Sequence, residues 1–318
     1  MYERAAVTLE LEHDGVVGFG EVVTSVYYGL DVARIGELVE DLRGVIENSE
    51  PADLIAQLGE HPTAPGVRAA VDAALHDLLA KTRGVPVHEL VGAPPPRRVP
   101  TACTIGITSL PESVRAAESL ARRGFELIKI KVGAGDGELA RIAAIRAAAP
   151  RARLLLDPNG AWEPDQAVRM LTAAHGHGVE AVEQPIAAGT PQLLVEVARQ
   201  SPVPVIADED AADVADVRAL GGGVHGVNIK LAKCGGIAAA LEIITAAQES
   251  DVDVMLGCLV ASSLGIAPAV HLAGHARWVD LDGHLLLAHD PWTGIGGVDG
   301  LLQPEGDTGL GVRLAGAG

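Results

Sequence analysis

Six positions in this chain of 318 residues carry most of its chemical signal: Lys131, Asp157, Glu183, Asp208, Lys230 and Gly257. They stand 26, 26, 25, 22 and 27 residues apart, about the length of one strand plus one helix. Each closes a short apolar run, at 126–132, 152–157, 179–183, 202–208, 226–230 and 252–257. Neighbouring strands lie ~4.8 Å apart, so acids ending three consecutive strands can converge on one point. Carboxylate oxygens are hard donors that suit Mg²⁺ or Mn²⁺ and not zinc, which favours His and Cys. A single acid after a strand reads as a helix cap. Three on neighbouring strands, Asp157, Glu183 and Asp208, read as a metal site.

Lysines flank these acids. Lys129 and Lys131 are two residues apart and share a strand face, so both point to the barrel mouth. Like charges this close are expected to lower a lysine pKa from about 10.4 toward working pH, which makes one of the pair a general base. Lys230 ends a strand on the opposite wall. A base on each side of one carbon allows a proton to leave one face and return to the other, which inverts a carbon acid. A divalent ion would stabilise the enediolate formed when the proton α to a carboxylate departs. Lys233 reads as a surface charge or the start of a helix.

These residues need a scaffold that repeats strand and helix. From Val99 onward the rhythm is strand 101–107, helix 111–122, strand 125–132, helix 137–149, and so on to strand 277–281. Eight strands result, the number that closes a (β/α) barrel with its chemistry at the C-terminal rim. Upstream, 5–12 and 16–22 form a hairpin about His13-Asp14-Gly15, and helical patterns follow at 31–47, 51–60 and 66–83. Gly92-Ala93-Pro94-Pro95-Pro96 breaks the pattern and marks a boundary. The expected organisation is an α+β cap over 1–98, a barrel over 99–283, and a segment 284–318 returning to the cap.

Composition excludes several classes. A net charge of −18 with no basic patch argues against nucleic acid. No apolar run of 18 residues and no leader-like start point to a membrane. Three cysteines without metal spacing suggest a reducing compartment, and cytoplasm is expected. Aromatics at 3% rule out stacking platforms. The histidines, among them His175, His177, His225, His271, His284 and His289, lack ligand spacing and read as structural. Gly235-Gly236 serves either as a simple helix start or as a seat for an anion at the next helix N-terminus. Gly221–Gly223 reads as a flexible loop.

The segments IKIKVG (128–133), LLDPNGAW (155–162), VEQPI (182–186), ADED (207–210), NIKLAKCGGI (228–237) and GCLVASSLGIAPA (257–269), in this order, resemble the enolase superfamily, muconate-lactonizing-enzyme subgroup. The resemblance runs from about Glu10 to Pro291. It implies an enolase-type barrel with a capping domain, and Mg²⁺ on Asp157, Glu183 and Asp208. Lys131 and Lys230 would be the acid/base pair, Lys129 would tune Lys131, and Asn159 would support the metal shell. Asp280-Leu281-Asp282, at the end of the eighth strand, is similar to the Asp-x-Asp of dipeptide epimerases, where two carboxylates on one strand face hold a free α-ammonium. Thr104 matches a substrate-side position, and Cys258, Leu259 and Val260 stand where that family shapes its side-chain pocket. The resemblance thus implies a Mg²⁺-dependent dipeptide epimerase with a small-molecule dipeptide substrate, and a homo-oligomer is expected.

Two departures stand out. The family usually begins with a further strand and a lid loop, about 30 residues ahead of what here is Tyr2-Glu3-Arg4. Ala261 also replaces a glutamate common in the strand-seven motif. Rival readings are a muconate cycloisomerase or o-succinylbenzoate synthase-like lyase of the same fold, a non-catalytic binding protein with an incomplete lid, and a Schiff-base aldolase using Lys230.

Overall fold

The computed structural model describes residues 4–26 and 28–316; Tyr2 and Glu3, named in the reading of the chain start, lie outside them. The chain opens with an antiparallel hairpin, β1 (Ala6–His13) and β2 (Val16–Val23), turned by Asp14 and Gly15 at positive φ. Three helices follow: α1 (Val32–Glu47), α2 (Pro51–Glu60) and α3 (Pro65–Arg83). Proline at the first turn starts α3 and Gly84, left-handed at φ 69°, ends it. The hairpin lies directly on this helix, and a Cβ at Gly18 or Gly20 would strike the carbonyls of Ala74 or Ala70. That close approach is why the second strand reads VVGFG. Leu9, Val22, Ile35, Leu42, Leu54, Leu58 and Val71 form a separate small core here. A short turn, α4 (Val87–Leu90), leads out of the cap.

After a two-residue strand, β3 (Val99–Pro100), come the barrel strands β4 (Ala102–Ile105), β5 (Leu127–Lys131), β6 (Arg153–Asp157), β7 (Val179–Glu183), β8 (Val205–Ala207), β9 (Gly226–Ile229), β10 (Asp253–Gly257) and β11 (Trp278–Asp280). All eight are parallel and pair in chain order. β11 returns beside β4, where Leu281 N donates to Thr101 Oγ1 at 2.9 Å. The helices between them are α5 (Leu110–Arg123), α6 (Glu138–Ala148), α7 (Pro164–His175), α8 (Pro191–Gln200), α9 (Val214–Leu220), α10 (Leu231–Cys234), α11 (Ile237–Glu249) and α12 (Ser263–Val270). Side-chain alternation along each strand divides the core in two. Ala102, Leu127, Leu155, Ala181, Ile206, Met255 and Trp278 fill the barrel interior, while Ile128, Ile130, Leu154 and Leu156 pack outward against the helices.

The C-terminal segment carries β12 (Trp292–Thr293), β13 (Leu301–Leu302) and β14 (Arg313–Leu314). β13 pairs with β3, and Leu310 N donates to Asp77 Oδ1 on α3 at 2.8 Å. Among the described residues no helix is long and apolar enough to cross a membrane.

Candidate active site

Strand ends set the positions of the chemistry. Lys131 and Asp157 are register partners at the tips of β5 and β6, Glu183 ends β7, and Asp208 directly follows β8. Lys230 directly follows β9. β5 and β9 are four strands apart in a ring of eight, as far apart as the ring allows. Lys131 and Lys230 therefore stand on opposite walls with the three acids between them.

The acids are linked through ammonium groups. Lys129 Nζ lies 2.9 Å from Asp157, 2.5 Å from Glu183 Oε2 and 2.7 Å from Asp280. Lys131 Nζ reaches Asp157 Oδ2 and Asn159 Oδ1, both at 2.5 Å. Lys230 Nζ reaches Asp208 at 2.6 Å and Glu183 at 3.4 Å. Ammonium groups stand between the carboxylates, and no group of three or more His, Cys, Asp or Glu among the described residues is spaced as a ready-made metal cage. The donor chemistry still fits a hard divalent ion. All three acids are buried, and the Glu183 Oε2 contact with Lys129 lacks hydrogen-bond geometry. Around them, six acids (Asp157, Glu183, Asp208, Glu209, Asp280, Asp282) face four lysines (129, 131, 230, 233), an excess of two negative charges.

Electrostatics correct the expectation for Lys129. Burial alone would lower its pKa, but Asp280, Glu183 and Asp157 outweigh it and hold the ammonium well above the ordinary lysine range. Lys129 is thus a fixed cation. Glu183 shows the mirror effect: burial would raise it, and Lys129 and Lys230 hold it well below the carboxylate range. Lys230 is likewise raised by Glu183 and Asp208 against the effect of its burial.

Lys233 is a second correction. Its side chain is only 6% exposed and its Nζ sits 2.5 Å from both Asp208 Oδ1 and the Asp208 carbonyl. The one-turn helix α10 swings it back over the barrel mouth, where a surface charge was expected. Asp280 ends β11 and Asp282 lies two residues beyond it, close enough for its charge to act on the Asp280 carboxyl. Asp280 joins Lys129, and burial pushes its carboxyl up to about 6. Its Oδ1 is buried without a hydrogen-bond partner. Asp282 Oδ2 accepts from the Thr104 backbone N–H at 2.8 Å.

Of the two readings of Gly235-Gly236, the anion seat is filled by the protein itself. Asp72 of α3 accepts from Ile237 N, at the start of α11, at 2.6 Å, and a Cβ on Gly236 would meet that carboxylate at 2.5 Å. The cap is docked to the barrel by this bond, by Arg68 to the Cys234 carbonyl, and by Glu21 to Ser262. Burial raises the Glu21 pKa. The smallness of Ala261 and Gly265 leaves room for that carboxylate, since a Cβ on Gly265 would meet Glu21 Oε1 at 2.7 Å and the Ala261 Cβ at 2.9 Å.

Several residues went unnoticed in the sequence. Asn228 donates to Glu183 Oε1 at 2.8 Å; a polar side chain two residues before Lys230 on an apolar strand was the available signal. Gln184, at φ 36°, accepts from Asp208 N and donates to Asp210, so an uncommon backbone conformation sits beside the acids. Arg141 of α6 donates to the Lys131 carbonyl and pins the end of β5. Gly257 is required by closeness: a Cβ there would lie 2.6 Å from Asn228 Oδ1 and 2.9 Å from Lys230 Cε.

A cleft of about 880 Å³ opens over the rim, lined by Lys131, Asn159, Asp208 and Lys230 together with Arg4, Val26, Leu30 and Cys258–Val260. Asp280 and Asp282, 5% and 4% exposed, do not line it.

Residues 1–92 match the mandelate racemase/muconate lactonizing enzyme N-terminal domain, and residues 112–317 match the enolase C-terminal domain-like family. A hydrophobic dipeptide epimerase from Roseobacter litoralis is 34% identical over 96% of this chain and 91% of its own length. An L-Ala-D/L-Glu epimerase from Bacteroides thetaiotaomicron is 32% identical over 96% of this chain and 80% of its own. The crystal structure of a dipeptide epimerase from Enterococcus faecalis V583, complexed with Mg and L-Leu-L-Tyr, superposes with a TM-score of 0.89 at 29% identity, covering 98% of each chain. With both of its domains matched in order and relatives aligned along nearly its whole length, the chain belongs to the mandelate racemase/muconate lactonizing enzyme family of the enolase superfamily.

Proposed function

We propose that the protein is a Mg²⁺-dependent dipeptide epimerase that inverts the Cα of the C-terminal residue. One observation carries this reading: two lysines on opposite barrel walls with three carboxylates between them. Lys131 takes or returns the α-proton on one face and Lys230 on the other. Lys129, held cationic, and Asn228 fix Glu183; Asn159 and Lys233 fix Lys131 and Asp208. Asp157, Glu183 and Asp208 would hold the ion, Mg²⁺ or Mn²⁺, which when bound supplies Lewis-acid stabilisation of the enediolate charge. Asp280, with one buried oxygen lacking a donor, and Asp282 offer acceptors for the substrate ammonium, whose charge would offset their desolvation. Thr104, Cys258, Leu259 and Val260 border the bound dipeptide. A cytoplasmic setting accords with three free cysteines, and a homo-oligomer accords with the common habit of soluble enzymes.

The test is a dipeptide library incubated in D₂O with Mg²⁺. Deuterium entering the α-position together with inversion is expected, and Lys131→Ala or Lys230→Ala abolishes inversion. A library that shows neither exchange nor inversion refutes the reading. Activity that survives Asp280→Ala on substrates without an amine would favour the cycloisomerase or lyase rival.

A further inference from the structure

Of the cations lining the 880 Å³ cleft, three are paired: Lys131 with Asp157, Lys230 with Asp208 and Glu183, and Lys233 with Asp208. The fourth is Arg4. Among the described residues its guanidinium makes no ion pair, in a chain that carries 42 acids and only 24 lysines and arginines. Nε donates to the Thr24 carbonyl at 2.9 Å and Nη1 to the Val260 carbonyl at 3.3 Å. These bonds brace the fork between the cap and the loop after β10. They use two of the five donors a guanidinium carries. Half-burial lowers the Arg4 pKa and outweighs the opposing effect of the neighbouring Cys258.

Two of the three carboxylates that share the cleft are committed elsewhere. Asp31 accepts from Arg34 N as the N-cap of α1, and Asp208 is held by Lys230 and Lys233. The third, Glu209, makes no ion pair with Arg4 among the described residues, and its Oε2 is buried without a hydrogen-bond partner. The wall between the reaction centre and Arg4 is short. Gly257 packs against the Lys230 stem, and Val260, whose carbonyl Arg4 holds, is three residues on, a span of at most about 10 Å. Cys258 and Leu259 line the way.

We infer that Arg4 is a specificity-determining residue, and that the cleft selects a dipeptide whose epimerised residue carries an anionic side chain. This rests on the epimerase reading. A side chain leaving the carbon between Lys131 and Lys230 runs along Cys258, Leu259 and Val260 toward the guanidinium, where a carboxylate accepts charge-assisted bonds that an amide cannot match.

The test compares L-Ala-L-Glu with L-Ala-L-Gln, equal in shape and different by one charge, in wild type, Arg4→Met and Arg4→Lys. Wild type should favour the glutamate dipeptide in kcat/KM by on the order of 10- to 100-fold. Arg4→Met should erase that ratio and Arg4→Lys should keep part of it. A role confined to bracing the cap would change both substrates equally and leave the ratio intact, which overturns the inference. So does a wild type that turns over both dipeptides alike. Calorimetric Kd values for the same pair in Mg²⁺ read the preference without turnover. Anion-selective binding with no α-proton exchange would therefore sink the epimerase reading and keep Arg4, while exchange without anion preference would do the reverse.

Discussion

Gly257→Ala tests the placement of Lys230 with the least chemical change. The new Cβ would lie 2.6 Å from Asn228 Oδ1 and 2.9 Å from Lys230 Cε, whereas ordinary contact begins at 3.4 Å. The two side chains must therefore retreat by roughly 0.8 and 0.5 Å. Overpacking of this kind costs about 1–3 kcal/mol of stability. A 1 Å displacement of a reacting group costs about 100-fold in rate, so the half-ångström retreat of Lys230 costs about 10-fold. Lys131 sits across the barrel and is spared. The expected result is asymmetric: α-proton exchange of one epimer falls about 10-fold in D₂O, while exchange of the other is retained. Asn228 also holds Glu183, so Mg²⁺ affinity is measured in parallel by calorimetry. Wild-type exchange for both epimers, or an equal loss for both at unchanged Mg²⁺ affinity, would refute the two-wall argument.

Three further outcomes follow from the same contacts. Burial pushes the His271 imidazole down to about 4, so the unfolded chain binds a proton there more readily than the folded one; stability is intact above pH ~6.5 and drains as pH falls toward 4, by up to about 3 kcal/mol. His271→Gln should flatten that part of the urea-unfolding pH profile, and an unchanged profile counts against it. Lys233→Met strips a buried partner from Asp208 and should cost about 3 kcal/mol without added ions, with a larger Mg²⁺-induced rise in Tm than wild type, measured by calorimetry. Asp72→Ala removes the acceptor at the N-terminus of α11 and should cost about 1–3 kcal/mol in urea unfolding; a loss near zero would mean the cap is docked by other contacts.

The sequence by itself determined the fold class and the rim. Each acid or lysine at a strand end follows an apolar run, and strand periodicity decides which side chains share a face, so Leu127, Lys129 and Lys131 could be aligned inward from spacing alone. Charge state and partnership were decided only in three dimensions. The Lys129 pKa follows from Asp280, 151 residues away in the chain, together with Glu183 and Asp157, and local sequence shows only its like-charged neighbour. Lys233 looks like a loop cation until α10 turns it onto Asp208, and the helix start at Gly236 looks open until Asp72 arrives from the cap. Coulomb and desolvation energies depend on through-space distance and burial, and both are set by which strands the barrel brings side by side.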